Sequence, residues 1–213
     1  FSLLLPGKFF TVGNLQSMAV QFPEYGILAI AIMLTMISGG IDLSVGSVVA
    51  LSTIVLAKLV QHLHWDLMVA IPLVLCLGTL FGAFMGWLIQ RFRLQPFIVT
   101  LAGMFLARGL CYLISIDSIS ITDGAYTVLA QTRIHLWPEG PMVSISAVLA
   151  LLVLAVAVFV AHCTQFGRTV YAIGGSEHSA VLMGLPVAHT NVAVYALSGF
   201  CAALGGVVFT FYM

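Results

Sequence analysis

Long apolar blocks set the pattern of this chain. Leu67–Gln90, Gly140–Gly167 and His178–Met213 contain no Asp, Glu, Lys or Arg. A hydrocarbon core about 30 Å thick takes about 20 helical residues. Windows of this kind predict membrane-spanning helices near 67–89, 142–162 and 191–213, and a fourth near 97–116 interrupted by Arg108. The stretch Tyr25–Leu59 is apolar but broken at Ser38-Gly39-Gly40-Ile41-Asp42-Leu43-Ser44. That break predicts two short helices, 25–38 and 44–60, with a non-helical segment between them. The loops are then 1–23, 61–66, 90–96, 117–141 and 163–190. Continuous apolar runs, in place of alternating ones, discard a β-barrel. The expected fold is all-α, a polytopic transmembrane helix bundle with a broken helix near Gly39–Ser44.

Composition supports this and removes other classes. Of 213 residues, seven are Lys or Arg and seven Asp or Glu; 7% are charged and 62% hydrophobic. A soluble domain averages about 25% charged residues, so a soluble enzyme or binding domain is excluded, and with it a disordered chain. A net charge of zero argues against a nucleic-acid partner. Cys76, Cys111, Cys163 and Cys201 are widely spaced in or beside apolar runs and read as packing residues, not as a disulfide framework or metal site. The chain begins with Phe1 and stops at Met213 inside an apolar run, so it is expected to be a fragment of one transmembrane domain spanning 1–213 and incomplete at both ends.

Charge orients the bundle only weakly. Alternating spans put Arg91, Arg93 and Arg168 on one side and Lys8, Lys58 and Arg133 on the other. The close pair Arg91 and Arg93 favours its own side as cytoplasmic. Small residues leave a clearer mark. Gly78, Gly82 and Gly86 form one stripe, and Ser198, Ala202 and Gly206 another, as expected where close backbone approach holds helices together in lipid.

Three features are candidates for function. At the break, two glycines end one helix, and Asp42 or Ser44 can cap the next by accepting its free N–H groups. Irregular backbone at membrane depth survives only inside protein or against a watery cavity. Asp42 is therefore either a buried cap or part of the polar wall of a solute pathway, and the two readings are compatible. Arg108 either snorkels towards the end of its span or faces that pathway. In the 163–190 loop, Ser176 can cap a short helix with Glu177 in its first turn, closed by Gly184 and Pro186. A helix of about two turns is too short to stand alone in water. It must lie against lipid, the bundle or a partner's groove.

Several activities find no support. Neither Lys8 nor Lys58 follows a G-x-x-x-x-G pattern, so the chain has no phosphate-binding loop for ATP. No span carries a series of acids and histidines suited to a proton relay. There is no G-x-S-x-G elbow and no H-E-x-x-H pair, and His62 and His64 read as interfacial. No enzyme activity, metal or cofactor is expected. A stand-alone secondary transporter or channel is the rival reading, and it would want an ionisable network.

The run Gly39-Gly40-Ile41-Asp42-Leu43-Ser44-Val45-Gly46-Ser47 resembles the signature of permease subunits of bacterial ATP-binding-cassette sugar importers, the ribose/galactofuranose-type family. Phe97-Ile98-Val99-Thr100-Leu101-Ala102-Gly103-Met104 with Arg108-Gly109 is similar to that family's next block. Phe166-Gly167-Arg168 and Tyr171-Ala172-Ile173-Gly174-Gly175 resemble its cytoplasmic coupling loop. The chain departs at Ser176, where the family usually has Asn, and at Ser179-Ala180-Val181, where it often has Ala-Ala-Arg. The resemblance implies a multi-pass permease of the bacterial inner membrane, with loops 90–96 and 163–190 in the cytoplasm and 117–141 outside. It implies a cytoplasmic ATP-binding subunit, a periplasmic sugar-binding protein, a second permease copy, identical or similar, and a sugar as cargo. Asp42, Ser44, Ser47, Thr100 and Arg108 are then the candidate pathway residues. Gly174, Gly175, Ser176, Glu177, Met183 and Gly184 are the candidate residues for coupling to the ATPase.

Overall fold

The computed structural model describes residues 11–117, 119–122, 124, 126, 133–135 and 142–212. Lys8, with the rest of 1–10, and most of 123–141 lie outside the described residues. Helices run α1 Val12–Gln21, α2 Pro23–Ile37, α3 Val45–Ala57, α4 Leu67–Phe92 and α5 Pro96–Ile114. After them come β1 Arg133–His135, β2 Met142–Ser144, and helices α6 Ile145–Cys163, α7 Gln165–Gly175, α8 Glu177–Leu182 and α9 Val187–Tyr212. Among the described residues, five helical stretches are long and apolar enough to cross a membrane: α3 with its continuation to His62, then α4, α5, α6 and α9. Helix α2 is shorter.

The boundaries follow local chemistry. Pro23 and Pro96 open α2 and α5 at the first turn, where a missing N–H costs nothing. Asp66 caps α4 by accepting the Met68 N–H at 3.1 Å, and Arg93 closes it in the left-handed conformation. Ser144 caps α6 and Thr164 caps α7, each accepting an N–H at 3.2 Å. The last turn of α3 widens into a π turn over Lys58–His62.

The broken helix lies where expected, with α2 ending at Ile37 and α3 beginning at Val45. Other expectations need correction. Thr11 accepts the Asn14 N–H and starts α1, in a stretch read as loop. Strands β1 and β2 pair antiparallel, Arg133 with Ser144, as a small ribbon ahead of α6. The 163–190 segment is mostly helical. Eleven of its residues form α7, and α9 starts at Val187, because Pro186 contributes the first accepting carbonyl, to the Thr190 N–H at 3.0 Å.

Helix α9 is the axis of the bundle, packed on α4, α2 and α3. Its small residues serve two neighbours. The α4 glycine stripe meets the row Val192, Tyr195, Gly199 and Ala203. A Cβ on Gly78 would lie 2.7 Å from the Gly199 carbonyl oxygen, one on Gly86 2.9 Å from Val192 Cα, and one on Gly82 would overlap the Tyr195 carbonyl. The row Ser198, Ala202 and Gly206 turns instead to α3 and the break. A Cβ on Gly206 would come within 2.9 Å of both Ser52 Cβ and the Val49 carbonyl oxygen.

Candidate functional site

The site is built around the break. After α2, Gly39 takes φ +80, a conformation that glycine enters without steric penalty. The Gly40 N–H then donates to the Thr35 carbonyl at 2.9 Å, closing the helix end. The chain next runs without regular structure to Ser44. The helices on either side of this irregular piece are anchored by apolar packing: Ile27 and Ala31 of α2 and Val45 and Val48 of α3 cluster with Cys201, Ala202, Leu204 and Val208 of α9.

Asp42 is 7% exposed and makes three hydrogen bonds. Its Oδ1 accepts the Ser44 N–H at 2.9 Å and the Ser44 hydroxyl at 2.6 Å; its Oδ2 accepts the Ser198 hydroxyl at 2.7 Å. It therefore caps the turn that launches α3, and it ties that turn to α9. The N-cap position itself is Ser44, whose side chain makes no cap bond. Thr100 is fully buried on α5. Its hydroxyl lies 3.1 Å from the Ile41 carbonyl and 2.9 Å from that of Pro96, so one proton is shared between the break and its own helix. Ser47 is buried in the first turn of α3. Asp42, Ser44 and Thr100 are thus drawn together on the break, with Ser47 just beyond. Arg108 is not: it is exposed on α5, about 12 Å along the axis from Thr100.

The six coupling candidates lie at one end of the bundle. Gly174, Gly175, Ser176, Glu177, Met183 and Gly184 are all exposed. Ser176 caps α8 by accepting the Ser179 N–H at 3.2 Å, and Gly184 ends the turn after it with φ +74. One side of α8 is packed, since Ala180 joins Ile173 of α7 and Val187 of α9. The other is open, with Val181, Leu182 and Met183 exposed. Gly174 presses on the break, and a Cβ there would overlap the Ile37 carbonyl oxygen. The elbow made by α7 and α8 is therefore in backbone contact with the end of α2.

Between elbow and break lies a cleft of about 890 Å³, walled by residues that include Gly39, Gly40, Gln90, Arg93, Glu177 and Asn191. Tyr195 also lines it. Asp42, Ser44, Ser47 and Thr100 are buried and are not among its lining residues. Tyr195, Ser198 and Asn191 are the residues that sequence reasoning missed. Their only signal was polarity recurring every three to four positions within a charge-free helix. Among the described residues no group of three or more His, Cys, Asp or Glu is placed to hold a metal ion.

Comparison with known proteins bears on this geometry. The family described as "Branched-chain amino acid transport system / permease component" matches residues 14–213. The chain is 44% identical over 187 residues to the inner membrane ABC transporter permease protein YjfF of Escherichia coli (strain K12), covering 88% of this chain and 56% of that protein. It is 39% identical over 210 residues to the fructose import permease protein FruG of Bifidobacterium longum, covering 96% and 61%. To the ribose import permease protein RbsC of Escherichia coli (strain K12) it is 33% identical over 205 residues, covering 96% and 63%. The chain thus spans 56 to 63% of the length of these relatives. No solved structure matches it.

Proposed function

The chain belongs to the family of transport-system permease components that matches nearly its whole length, and on that footing we propose that it lines the translocation path of an ATP-driven sugar importer of the inner membrane. The family's description speaks of branched-chain amino acids, whereas two of the relatives are named for fructose and ribose import. Sugar is therefore the cargo proposed. A neutral polyhydroxylated solute also suits a bundle whose buried polar residues are mostly Ser and Thr, with the amide of Asn191, the engaged carboxylate of Asp42 at the break and Glu24 in the first turn of α2.

The observation that carries the reading is the contact between elbow and break. At the end of helix α8, Leu182 and the following Met183 are exposed, a short apolar patch of the kind that docks in a groove of another protein, while Val181 borders the cleft. Behind it, Gly174 rests on the Ile37 carbonyl. A separate cytoplasmic ATPase gripping α8 would push on the place where α2 stops. The spans would then rock between outward and inward openings. In this arrangement the 93–95 turn and the elbow face the cytoplasm. A periplasmic sugar-binding protein delivers cargo to the opposite end, and a second permease copy completes the path. Hydrolysis belongs to the ATPase, because this chain has no phosphate-binding loop. Asp42, Ser44, Ser47 and Thr100 brace the break; Arg108 snorkels towards the outer end of α5.

The test is reconstitution of the full-length protein in proteoliposomes, with and without the ATPase and binding protein, measuring accumulation of pentoses and hexoses. Accumulation against a gradient should require the ATPase and ATP. Concentration of sugar by the permease alone would refute the proposal and establish the stand-alone transporter in its place.

A further inference from the structure

The least expected group in the bundle is the Tyr195 hydroxyl. The residue is 2% exposed, and its ring is clamped by Met85, Ile89 and Val99. Its Oη has no hydrogen-bond partner among the described residues. A buried hydroxyl without a partner is costly, and more so in hydrocarbon where water cannot supply one. Such an exception calls for a reason. The position supplies one. Tyr195 and Gly40 are neighbours in the wall of the cleft, and a Cβ on Gly40 would overlap Oη. Asp42 follows two residues after Gly40, and its partner Ser198 is one turn after Tyr195. The ring therefore lies where the cleft meets the Gly39-Gly40 turn, one helical turn from the hydroxyl that holds Asp42.

We propose that Tyr195 is the gate of the solute path at this end of the bundle. In the conformation described, the ring shuts the cleft off from the buried carboxylate of Asp42. When the Gly39-Gly40 turn moves off the ring, the hydroxyl is freed and a hydroxyl of the passing sugar becomes its partner. Only a residue with no side chain at position 40 lets Oη lie there, and the left-handed Gly39 beside it is the natural point of bending. The inference rests on the reading of the cleft as part of a sugar path.

The experiment uses the full-length permease with its ATPase and binding protein in proteoliposomes, and three variants. Tyr195→Phe removes only the orphan. It should leave the melting temperature unchanged or raised, yet lower uptake about fivefold to tenfold, as expected from one lost hydrogen bond. Tyr195→Ala removes the plug and should let preloaded sugar leak out without ATP. Gly40→Ala should abolish uptake by pressing a methyl onto Oη. Adding Tyr195→Phe should restore part of it, because the methyl then meets the ring at 3.4 Å. Leak in Tyr195→Ala with normal uptake in Tyr195→Phe would keep the plug and overturn the role of the hydroxyl. If Tyr195→Ala does not fold, the rescue of Gly40→Ala decides, and its absence overturns the gate. A wild-type complex that moves no sugar refutes the sugar-importer reading, and the gate falls with it. A transporting wild type whose Tyr195 variants are tight and fully active overturns the gate alone.

Discussion

Replacing Asp42 separates two roles for a buried carboxylate. In Asp42→Ala three donors lose their acceptor: the Ser44 N–H, the Ser44 hydroxyl and the Ser198 hydroxyl. The hydroxyls can turn to carbonyls of their own helices, as serines within helices do. The amide cannot turn, and an orphaned buried N–H costs about 1–3 kcal/mol. The Ser198 bond is interhelical; such bonds within membranes are worth about 0.6 kcal/mol on average and at most about 1.7. The variant should therefore lose about 2–5 kcal/mol. The damage falls on the turn that launches α3, because α4 and α9 make no use of Asp42 in packing together. Asp42→Asn keeps a carbonyl oxygen at the Oδ1 position, and its NH₂ can donate to the Ser198 oxygen, so it should cost under about 1 kcal/mol. Thermal unfolding of the detergent-solubilised full-length complex, followed by tryptophan fluorescence, should rank wild type and Asn close together and Ala below. Uptake by the Ala variant should fall further than its expression. If uptake follows protein level alone, Asp42 only caps a turn. If Asn is as damaging as Ala, the charge itself is required and the hydrogen-bond argument fails.

Two further substitutions probe the elbow and the helix pair. Gly184→Val forces a β-branched residue into φ +74 at an exposed site, at about 1–2 kcal/mol of local strain; ATPase activity should persist while uptake is lost, and normal transport would refute docking through α8. Gly82→Leu drives a side chain into the Tyr195 carbonyl and should cost about 1–3 kcal/mol or more. Lower resistance to SDS unfolding is the readout, and an unchanged profile would show that α4 and α9 are not packed backbone to backbone.

The spans were legible because a charge-free run of about 20 residues has few other uses. The break was legible because Gly39-Gly40 followed by Asp42 ends one helix and starts another. What stayed hidden depends on partners that are distant in the chain. Helix α7 mixes polar and apolar residues and carries Gly167, Gly174 and Gly175, which read as loop. Its helix survives because Val170 packs with Ile30 and Leu34 of α2 and Val194 of α9. The two small-residue stripes were visible, but not that they face different helices. The α4 glycines chose the row that contains Tyr195, a bulky residue that no small-residue pattern would include. They meet its backbone, so its size is no obstacle there. Ser198, read as merely small, holds Asp42. A tyrosine inside an apolar run carries no sign of the unpaired hydroxyl that makes it a candidate.

These contacts also limit where the bundle can move. Helices α4 and α9 meet backbone to backbone along Gly78, Gly82, Gly86 and Gly199, so sliding or splaying them would lose contacts along their whole length. They act as one rigid unit. Helix α3 is bound to the other row of α9 at Gly206, with little room for a shift. What remains compliant is the piece from Ser38 to Ser44, which has no ladder of backbone hydrogen bonds and is held by Asp42, Thr100 and the Tyr195 ring. The elbow touches this piece through Gly174. On the proposed coupling, a push at α8 would reach a segment held largely by exchangeable side-chain bonds, those of Asp42 to Ser44 and Ser198 and of Thr100 to the Ile41 carbonyl.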